Sequence, residues 1–292
     1  MNSINLKARA KINLALDIIN KRPDGYHEVR MIMQTINLFD KIYIKKINKP
    51  SIIIDTNIPY IPKNKNNLMH KAATLLMEQY GISSGVYINL HKVIPVSAGL
   101  AGGSSDAAVT LIGLNKLFNL NLSYKELMAI GVQIGADIPY CIMRGTALAE
   151  GIGEQLTPLS PMPKCYVLIA KPDINVSTAQ VYSMVDIDAF EKRPNVEAMI
   201  QGIEEQDLTK ITNHMGNVLE TVTIKKYPVI NQIKEKMLEK GAIASMMSGS
   251  GPTVFGIFRD KKKAQKALYD FKLDNIGKNI FLTTIFNRKE RG

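Results

Sequence analysis

The densest run of small side chains in the chain is Pro95-Val96-Ser97-Ala98-Gly99-Leu100-Ala101-Gly102-Gly103-Ser104-Ser105-Asp106-Ala107-Ala108. Small residues let backbone N–H groups approach an anion, and a helix starting within the run would aim its unsatisfied donors and positive dipole end at the same place. Phosphate binding is the chemistry predicted here. Ser104 and Ser105 can add hydroxyl donors or hold a magnesium-bound water, and Asp106, expected in the first helical turn, suits the dipole. A glycine-rich connection that only caps a helix is the plainer alternative, disfavoured by two serines at the helix start. The P-loop lysine pattern and the G-x-G-x-x-G dinucleotide pattern are both absent from this run.

A candidate base lies in Gly135-Ala136-Asp137-Ile138-Pro139. Asp137 is expected in a loop with apolar neighbours, where a carboxylate has its pKa raised unless a cation compensates, and Lys11 could be that cation. On their own these residues also read as a turn aspartate and an exposed strand lysine. Pro23-Asp24-Gly25 is a turn signal, since proline presets φ and glycine supplies positive φ. It presents Tyr26 and His27 at its exit, although an aromatic leaving a turn is usually core. Gly249-Ser250-Gly251 also reads as a strand connector. His70, His91 and His214 have no partner at metal-ligand spacing, so no metal site is assigned.

These residues need a scaffold of strands followed by helices. Residues 3 to 54 read mostly as strands: Leu14 and Leu16 alternate with small or polar neighbours, and segments 42 to 47 and 51 to 54 are Ile-rich. Asn66 or Asn67 can cap a helix ending at Gly81. A strand over 86 to 91 precedes the glycine run. A helix from about Ser104 to Phe118 carries an amphipathic stripe, and the next opens with the capping box Ser123-Tyr124-Lys125-Glu126 and turns Leu127, Ile130 and Ile134 inward. Thr157 to Lys164 is the expected domain boundary, because Pro158, Pro161 and Pro163 exclude helix and sheet interior. Beyond it the pattern gives a strand at 165 to 170, helical stretches, a helix at 228 to 240, strands at 242 to 247 and 253 to 258, a helix at 260 to 271 and a strand near 279 to 286. That is an α+β arrangement.

The bulk properties set outer limits. With 292 residues, 46% hydrophobic and 22% charged, the chain has room for two domains and the composition of a soluble globular protein. Lys7, Arg9, Lys11 and Asp17 break any signal-peptide core, and no run approaches the roughly 18 apolar residues of a membrane span. Cys141 and Cys165 alone cannot form a secreted disulfide framework, so a cytoplasmic location is expected. The net charge of +11 suits an anionic partner, but its lysines are scattered in short pairs and one triplet, which reads as a solvated surface.

Taken together the motifs resemble the GHMP kinases, the family of galactokinase, homoserine kinase and mevalonate kinase. Their ATP-phosphate loop has the pattern Pro-x-x-x-Gly-Leu-x-small-small-Ser-Ser-x-Ala. Supporting segments are Ala10-Lys11-Ile12-Asn13-Leu14, Arg22-Pro23-Asp24-Gly25-Tyr26-His27, the glycine run, Gly135 to Pro139, and Ser248-Gly249-Ser250-Gly251-Pro252-Thr253-Val254-Phe255. The resemblance is closest to the branch acting on 4-diphosphocytidyl-2-C-methyl-D-erythritol. One departure is Ala101, where the richest form of the loop has glycine; it matters only if that residue needs positive φ.

The resemblance implies a two-domain α+β kinase: a ribosomal-protein-S5-like, ATP-binding domain over 1–157 and a ferredoxin-like, substrate-binding domain over 164–292. It implies ATP as co-substrate, with Mg2+, and transfer of the γ-phosphoryl to the 2-hydroxyl of the methylerythritol moiety, a step of non-mevalonate isoprenoid synthesis. Asp137 would be the base and Lys11 its electrostatic partner. Asn67, Lys92, Pro95, Gly99, Leu100, Ala101, Gly102, Gly103, Ser104 and Ser105 would bind ATP. Asn13, Tyr26, His27, Asp137, Thr178, Tyr182, Gly249, Ser250 and Gly251 would bind the cytidyl diphosphate, with Tyr26 and Tyr182 on the two faces of cytosine and His27 at its edge. No nucleic acid or membrane partner is expected, and the chain is expected to be a monomer or weak homodimer. The rivals are a homoserine or mevalonate kinase, which has no reason for Arg22 to His27 so close to Lys11, and a non-catalytic basic RNA-binding protein.

Overall fold

The strand-rich start forms β1 (Ser3–Lys21), β2 (His27–Ile47) and β3 (Ile52–Thr56) in a computed structural model that describes residues 1–288. The expected turn joins the first two: the Gly25 N–H donates to the Arg22 carbonyl at 3.1 Å, and Gly25 has φ +86°. Strand side chains alternate between faces. On one face of β1, Ala8, Ala10, Ile12 and Leu14 are buried; on the other, Lys11, Asn13 and Asp17 are buried too. Both faces are therefore covered, and one of them carries the polar groups.

The chain continues through α1 (Leu68–Gln79), β4 (Gly85–His91), α2 (Gly102–Leu117), α3 (Tyr124–Val132), α4 (Asp137–Met143), β5 (Thr146–Glu150) and β6 (Gln155–Pro158). Asn67 caps α1 by accepting from the Met69 N–H, and both halves of the Ser123–Glu126 capping box are formed at α3. Two expectations shift. The α2 helix begins at Gly102 rather than Ser104 and is buried on all sides from Ser105 to Leu114, so it carries no simple stripe. Helix α3 ends at Val132, leaving Ile134 beyond it. Then follow β7 (Tyr166–Lys171), α5 (Thr178–Ser183), α6 (Val196–Glu204), α7 (Leu208–Asn213), β8 (Gly216–Asn217), α8 (Glu220–Lys226), α9 (Val229–Glu239), β9 (Ala244–Met247), β10 (Val254–Phe258), α10 (Lys261–Leu273) and β11 (Asn279–Thr284).

Two compact units result. The first comprises Met1–Ala10, Phe39–Val96 and Ala101–Met143. Its strands follow the order β3-β4-β2-β1, with β3 parallel and β2 antiparallel to β4, and α1, α2, α3 and α4 pack against one another. The second comprises Lys11–Leu38, Ser97–Leu100 and the chain from Arg144 onward. Within it β5 pairs antiparallel with Met31–Gln34 of β2, and β8 lies parallel to Ala15 and Leu16 of β1. Its second sheet has the antiparallel order β11-β7-β10-β9. Helices α9 and α10 pack on that sheet, and the succession β7-α9-β9-β10-α10-β11 with this order is ferredoxin-like, as expected.

The units do not divide at Thr157–Lys164. Residues 11–38 and 144–163 join the second unit because β5 builds onto β2, and the Leu159 N–H then donates to the Thr146 carbonyl. The prolines act more locally. Strand β6 stops at Pro158 and pairs with β5, at an edge where a missing donor is tolerated.

Ala101 is the N-cap of α2, with φ +52° and ψ 32°. The departure from glycine therefore falls on a left-handed residue, where an L side chain costs on the order of 1–2 kcal/mol. Freeing the unfolded chain offsets part of that relief, so Ala101→Gly is expected to stabilise the fold by up to about 1 kcal/mol. Denaturant titration checks this; a lowered midpoint at unchanged slope would show that Ala101 is not strained.

Candidate functional site

In the second unit, β1 supplies the first polar groups. Lys11 Nζ donates to Asn13 Oδ1 at 2.7 Å, the Lys11 N–H donates to the Leu100 carbonyl at 3.1 Å, and Asn13 Nδ2 donates to Met31 Sδ at 3.3 Å. Lys11 is only 5% exposed, so it is no solvated strand lysine. Beside it the two glycine-bearing segments meet. Ser248 Oγ donates to the Gly99 carbonyl at 2.9 Å, and a Cβ on residue 99 would lie 2.2 Å from the Ser248 carbonyl oxygen, so glycine alone fits. Gly249, Ser250 and Gly251 do connect β9 to β10, and Gly249 lies against Gly99 and Asn13.

Asn217, which the sequence did not single out, holds this turn. Its Nδ2 donates to the carbonyls of Met247 at 2.9 Å and Gly249 at 2.8 Å, while its Oδ1 accepts from the Leu219 N–H at 3.0 Å. Thr178, at the start of α5, shares a 2.8 Å hydrogen bond with Ser250. The same helix carries Tyr182 and is anchored by buried Val181. Following it, Arg193 donates to Asp17 Oδ1 and to the Ile18 carbonyl, at 2.7 and 2.8 Å.

Tyr182 and His27 are brought together, with ring centroids 5.4 Å apart and planes 46° apart. Burial, with the nearby Lys21 charge, holds the His27 imidazole below the usual histidine range. At pH 7 the ring is therefore neutral and can both donate and accept. Tyr26 is 61% exposed, which removes the reading of it as a core residue.

Along the glycine run Ser97, Gly99 and Ala101 have φ of 51°, 69° and 52°, while Ala98 and Leu100 between them are not left-handed. Left-handed residues recurring in a short run are the backbone pattern from which anion-binding nests are made. The first helical bond of α2 runs from the Ser105 N–H to the Ala101 carbonyl, which leaves the Gly102, Gly103 and Ser104 donors at an open helix start. Gly103 is exposed, Pro95 and Ser104 are half-buried and Ser105 is buried.

Other first-unit candidates sit differently from expectation. Because α2 starts at Gly102, Asp106 falls in its second turn and is buried instead of facing the dipole end. Its Oδ2 accepts from Lys92 Nζ at 2.7 Å, and Asp40 Oδ2 accepts from the same ammonium at 2.5 Å. Burial opposes the Lys92 charge, and the two carboxylates overcome it, raising its pKa. Asn67 spends both ends of its side chain within the protein, on the Met69 N–H and the Pro62 carbonyl. Asp137 is the first residue of α4, half-buried, and not in a loop. Pro139 is tolerated there because the first turn has no acceptor for its missing N–H. Among the described residues no group of three or more His, Cys, Asp or Glu could hold a metal.

Asp40 also escaped the sequence reading, yet it left a signal. It falls in the inward-facing series of β2 with Ile42 and Ile44, and Lys92 extends the inward series Val86, Ile88, Leu90 of β4. Opposite charges in two buried registers mark an internal pair. No comparable signal marks Asn217.

Comparison with known proteins gives consistent matches. Residues 67–145 match the GHMP kinases N terminal domain and residues 199–274 the GHMP kinases C terminal domain. A 4-diphosphocytidyl-2-C-methyl-D-erythritol kinase of Lachnoclostridium phytofermentans is 55% identical over 289 residues, covering 99% of this chain and 99% of its own. Among solved structures, a 4-(cytidine 5'-diphospho)-2C-methyl-D-erythritol kinase is 30% identical with a TM-score of 0.83, covering 98% of this chain and 100% of its own. A homoserine kinase from Cytophaga hutchinsonii, 20% identical with a TM-score of 0.76 over 98% of this chain and 95% of its own, shares the fold.

The role of Asn217 gives a direct test. Asn217→Ala orphans two buried carbonyls and one N–H, at about 1 kcal/mol or more each, so it is expected to destabilise the protein by about 2–4 kcal/mol. Chemical denaturation measures it, and a loss below about 1 kcal/mol would mean that the 247–251 turn holds its own shape.

Proposed function

The chain belongs to the GHMP kinases, in the group of 4-diphosphocytidyl-2-C-methyl-D-erythritol kinases, and we propose a division of its reaction among the residues described above. The reaction is ATP-dependent phosphorylation of the 2-hydroxyl of 4-diphosphocytidyl-2-C-methyl-D-erythritol, a step of non-mevalonate isoprenoid synthesis. The observation that carries the assignment of the ATP site is the run from Ser97 to Ala101, whose alternating backbone ends on the open start of a 16-residue helix. Its N–H groups, with those of Gly102, Gly103 and Ser104, receive the ATP phosphates. Pro95, Gly99 and Leu100 shape the approach to them, and Asn67 and Lys92 hold the surrounding walls from inside.

Magnesium accompanies ATP in this reading. The donor set fits an ion carried largely by phosphate oxygens and water, which needs only one or two protein ligands. With Ser105 buried, the half-buried Ser104 hydroxyl is the group that would hold a magnesium-bound water. When bound, the ion neutralises charge on the transferring phosphoryl group.

Asp137 takes the proton of the 2-hydroxyl as its oxygen forms the new bond to the γ-phosphorus and the bond to the β-phosphate oxygen breaks, releasing ADP. Lys11 steadies the charge of the transferred group. There is no covalent enzyme intermediate. Asn13, Thr178, Gly249, Ser250 and Gly251 orient the methylerythritol diphosphate, and Tyr26, His27 and Tyr182 hold the cytosine. We place the enzyme in the cytoplasm: no disulfide joins the buried Cys141 and Cys165, and burial pushes the Cys165 thiol up to about 12, the behaviour of an inert reduced cysteine.

The assignment is tested by a coupled assay of ATP consumption with the cytidyl substrate, homoserine and mevalonate offered in parallel; turnover with either of the last two and none with the first would overturn it. In the same assay Asp137→Asn is expected to lower kcat by at least about 100-fold with ATP binding nearly intact, since asparagine keeps the shape and cannot take the proton. A variant keeping more than about half of the wild-type kcat would remove Asp137 from the role of base.

Two aromatic faces around one base contribute on the order of 1–3 kcal/mol each. Tyr26→Ala and Tyr182→Ala are therefore expected to raise KM for the cytidyl substrate about tenfold or more and to leave KM for ATP nearly unchanged, with phenylalanine restoring both. Equal damage to both substrates together with a lowered Tm would mean that the rings serve packing instead.

A further inference from the structure

We propose that Asp40 is a positioning residue for phosphoryl transfer: by holding Lys92 beneath the first turn of α2, it sets where the backbone donors of Gly102 and Gly103 meet the ATP phosphates. The proposal rests on the reading of residues 97–105 as the ATP-phosphate loop.

Three charged side chains from three elements meet in the core of the first unit. Asp40 lies in β2, Lys92 immediately follows β4, and Asp106 lies in α2; their side chains are 0%, 4% and 4% exposed. Asp40 uses both oxygens. Its Oδ2 accepts from Lys92 Nζ, and its Oδ1 accepts from the backbone N–H groups of Val93 and Ile94, at 2.5 and 2.8 Å. Once the chain leaves β4 it has no strand partner for those donors, so the carboxylate replaces one. Asn57 closes the other side, donating to the Lys92 carbonyl at 3.1 Å and accepting from the Lys92 N–H at 2.7 Å.

The first residue of α2 rests on this assembly. A Cβ built on Gly102 would lie 2.9 Å from Lys92 Nζ and 3.0 Å from Ile94 Cγ2. The ammonium and Ile94 thus form the floor under Gly102, and both are fixed by the same carboxylate. Lys92 also reaches one turn further along the helix through Asp106. A shift of Lys92 must move Gly102 or open a gap beneath it, and with it the donors that start the helix.

Burial drives the Asp106 carboxyl well above the usual carboxylate range against the pull of Lys92, and its Oδ1 is buried without a partner. For rigidity alone, a buried ion cluster is often matched by packed apolar residues. What the cluster adds is directional: each bond fixes a particular backbone or side-chain atom.

The experiment compares Asp40→Asn, Asp106→Asn and the triple variant Asp40→Asn, Lys92→Met, Asp106→Asn, measuring Tm and, well below the melting range, both KM values and kcat. Misplacement of a binding group by about 1 Å can cost about 100-fold, so Asp40→Asn is expected to raise KM for ATP at least about tenfold while KM for the cytidyl substrate stays within about twofold. Asp106→Asn keeps the Lys92–Asp40 pair and is expected to raise it less than about threefold. The triple variant carries none of the three charges and should regain most of the lost Tm, yet its ATP KM should stay raised, which a merely structural role would not produce. Recovery of ATP KM together with Tm, or a folded Asp40→Asn protein with wild-type ATP KM, would overturn the proposal. A Gly102→Val protein that binds ATP normally would instead overturn the loop reading beneath it.

Discussion

Hydrogen is all that residue 99 can carry. The carbonyl oxygen of Ser248 stands 2.2 Å from where a side chain would begin, and the Ser248 hydroxyl bonds the carbonyl of residue 99 in return. This one approach welds two stretches of chain 149 residues apart into a single surface. Around it the neighbours fall into place: Asn217 fixes the carbonyls on either side of Ser248, Lys11 binds the carbonyl of Leu100, and Asn13 and Gly249 face each other. Each contact is a hydrogen bond to main chain or a contact between glycines, so the surface is built largely from backbone and is correspondingly rigid.

The distribution of charge follows a different logic from the net value of +11. The loop assigned to ATP phosphates offers N–H groups and hydroxyls and no lysine of its own. The two lysines among the candidate site residues, Lys11 and Lys92, are buried and bonded inside the protein, to Asn13 in one case and to two aspartates in the other. The many exposed lysines are spread over the surface, where solvent screens them. The proposed ATP site would thus meet phosphate with oriented dipoles rather than with free positive charge.

Local signals in the sequence translated directly into structure. Pro23-Asp24-Gly25 makes its turn, and Asn67 and Ser123 cap their helices. Most of the misjudged points depend on contacts made outside the segment itself. The start of α2 moved two residues upstream because Gly102, a poor helix former, is held against Lys92 and Ile94, with Gly103 near Leu68. Asp137 starts a short helix because Pro139 is harmless in a first turn, a distinction that proline alone does not make. Asn217 gave no sign at all, since a single asparagine between helices looks like any loop residue until its two carbonyl acceptors, 30 and 32 residues away, are in place. The family motifs drew attention to the residues lining the site; only coordinates disclosed Asp40 and Asn217, the groups standing behind them.

Strands β1 and β2 each begin in one compact unit and finish in the other: β1 passes from the first to the second at Ala10–Lys11, and β2 returns at Leu38–Phe39. No single cut of the polypeptide separates the units, because each is assembled from three discontinuous stretches. A fragment ending near the proline cluster would lack β8, the neighbour of Ala15 and Leu16, along with Arg193 and Gly249, which meet Asp17 and Asn13. The protein is thus modular in architecture and indivisible in topology. Pairings as remote as β1 with β8 must close before either half is complete, which makes for high contact order and slow, concerted folding.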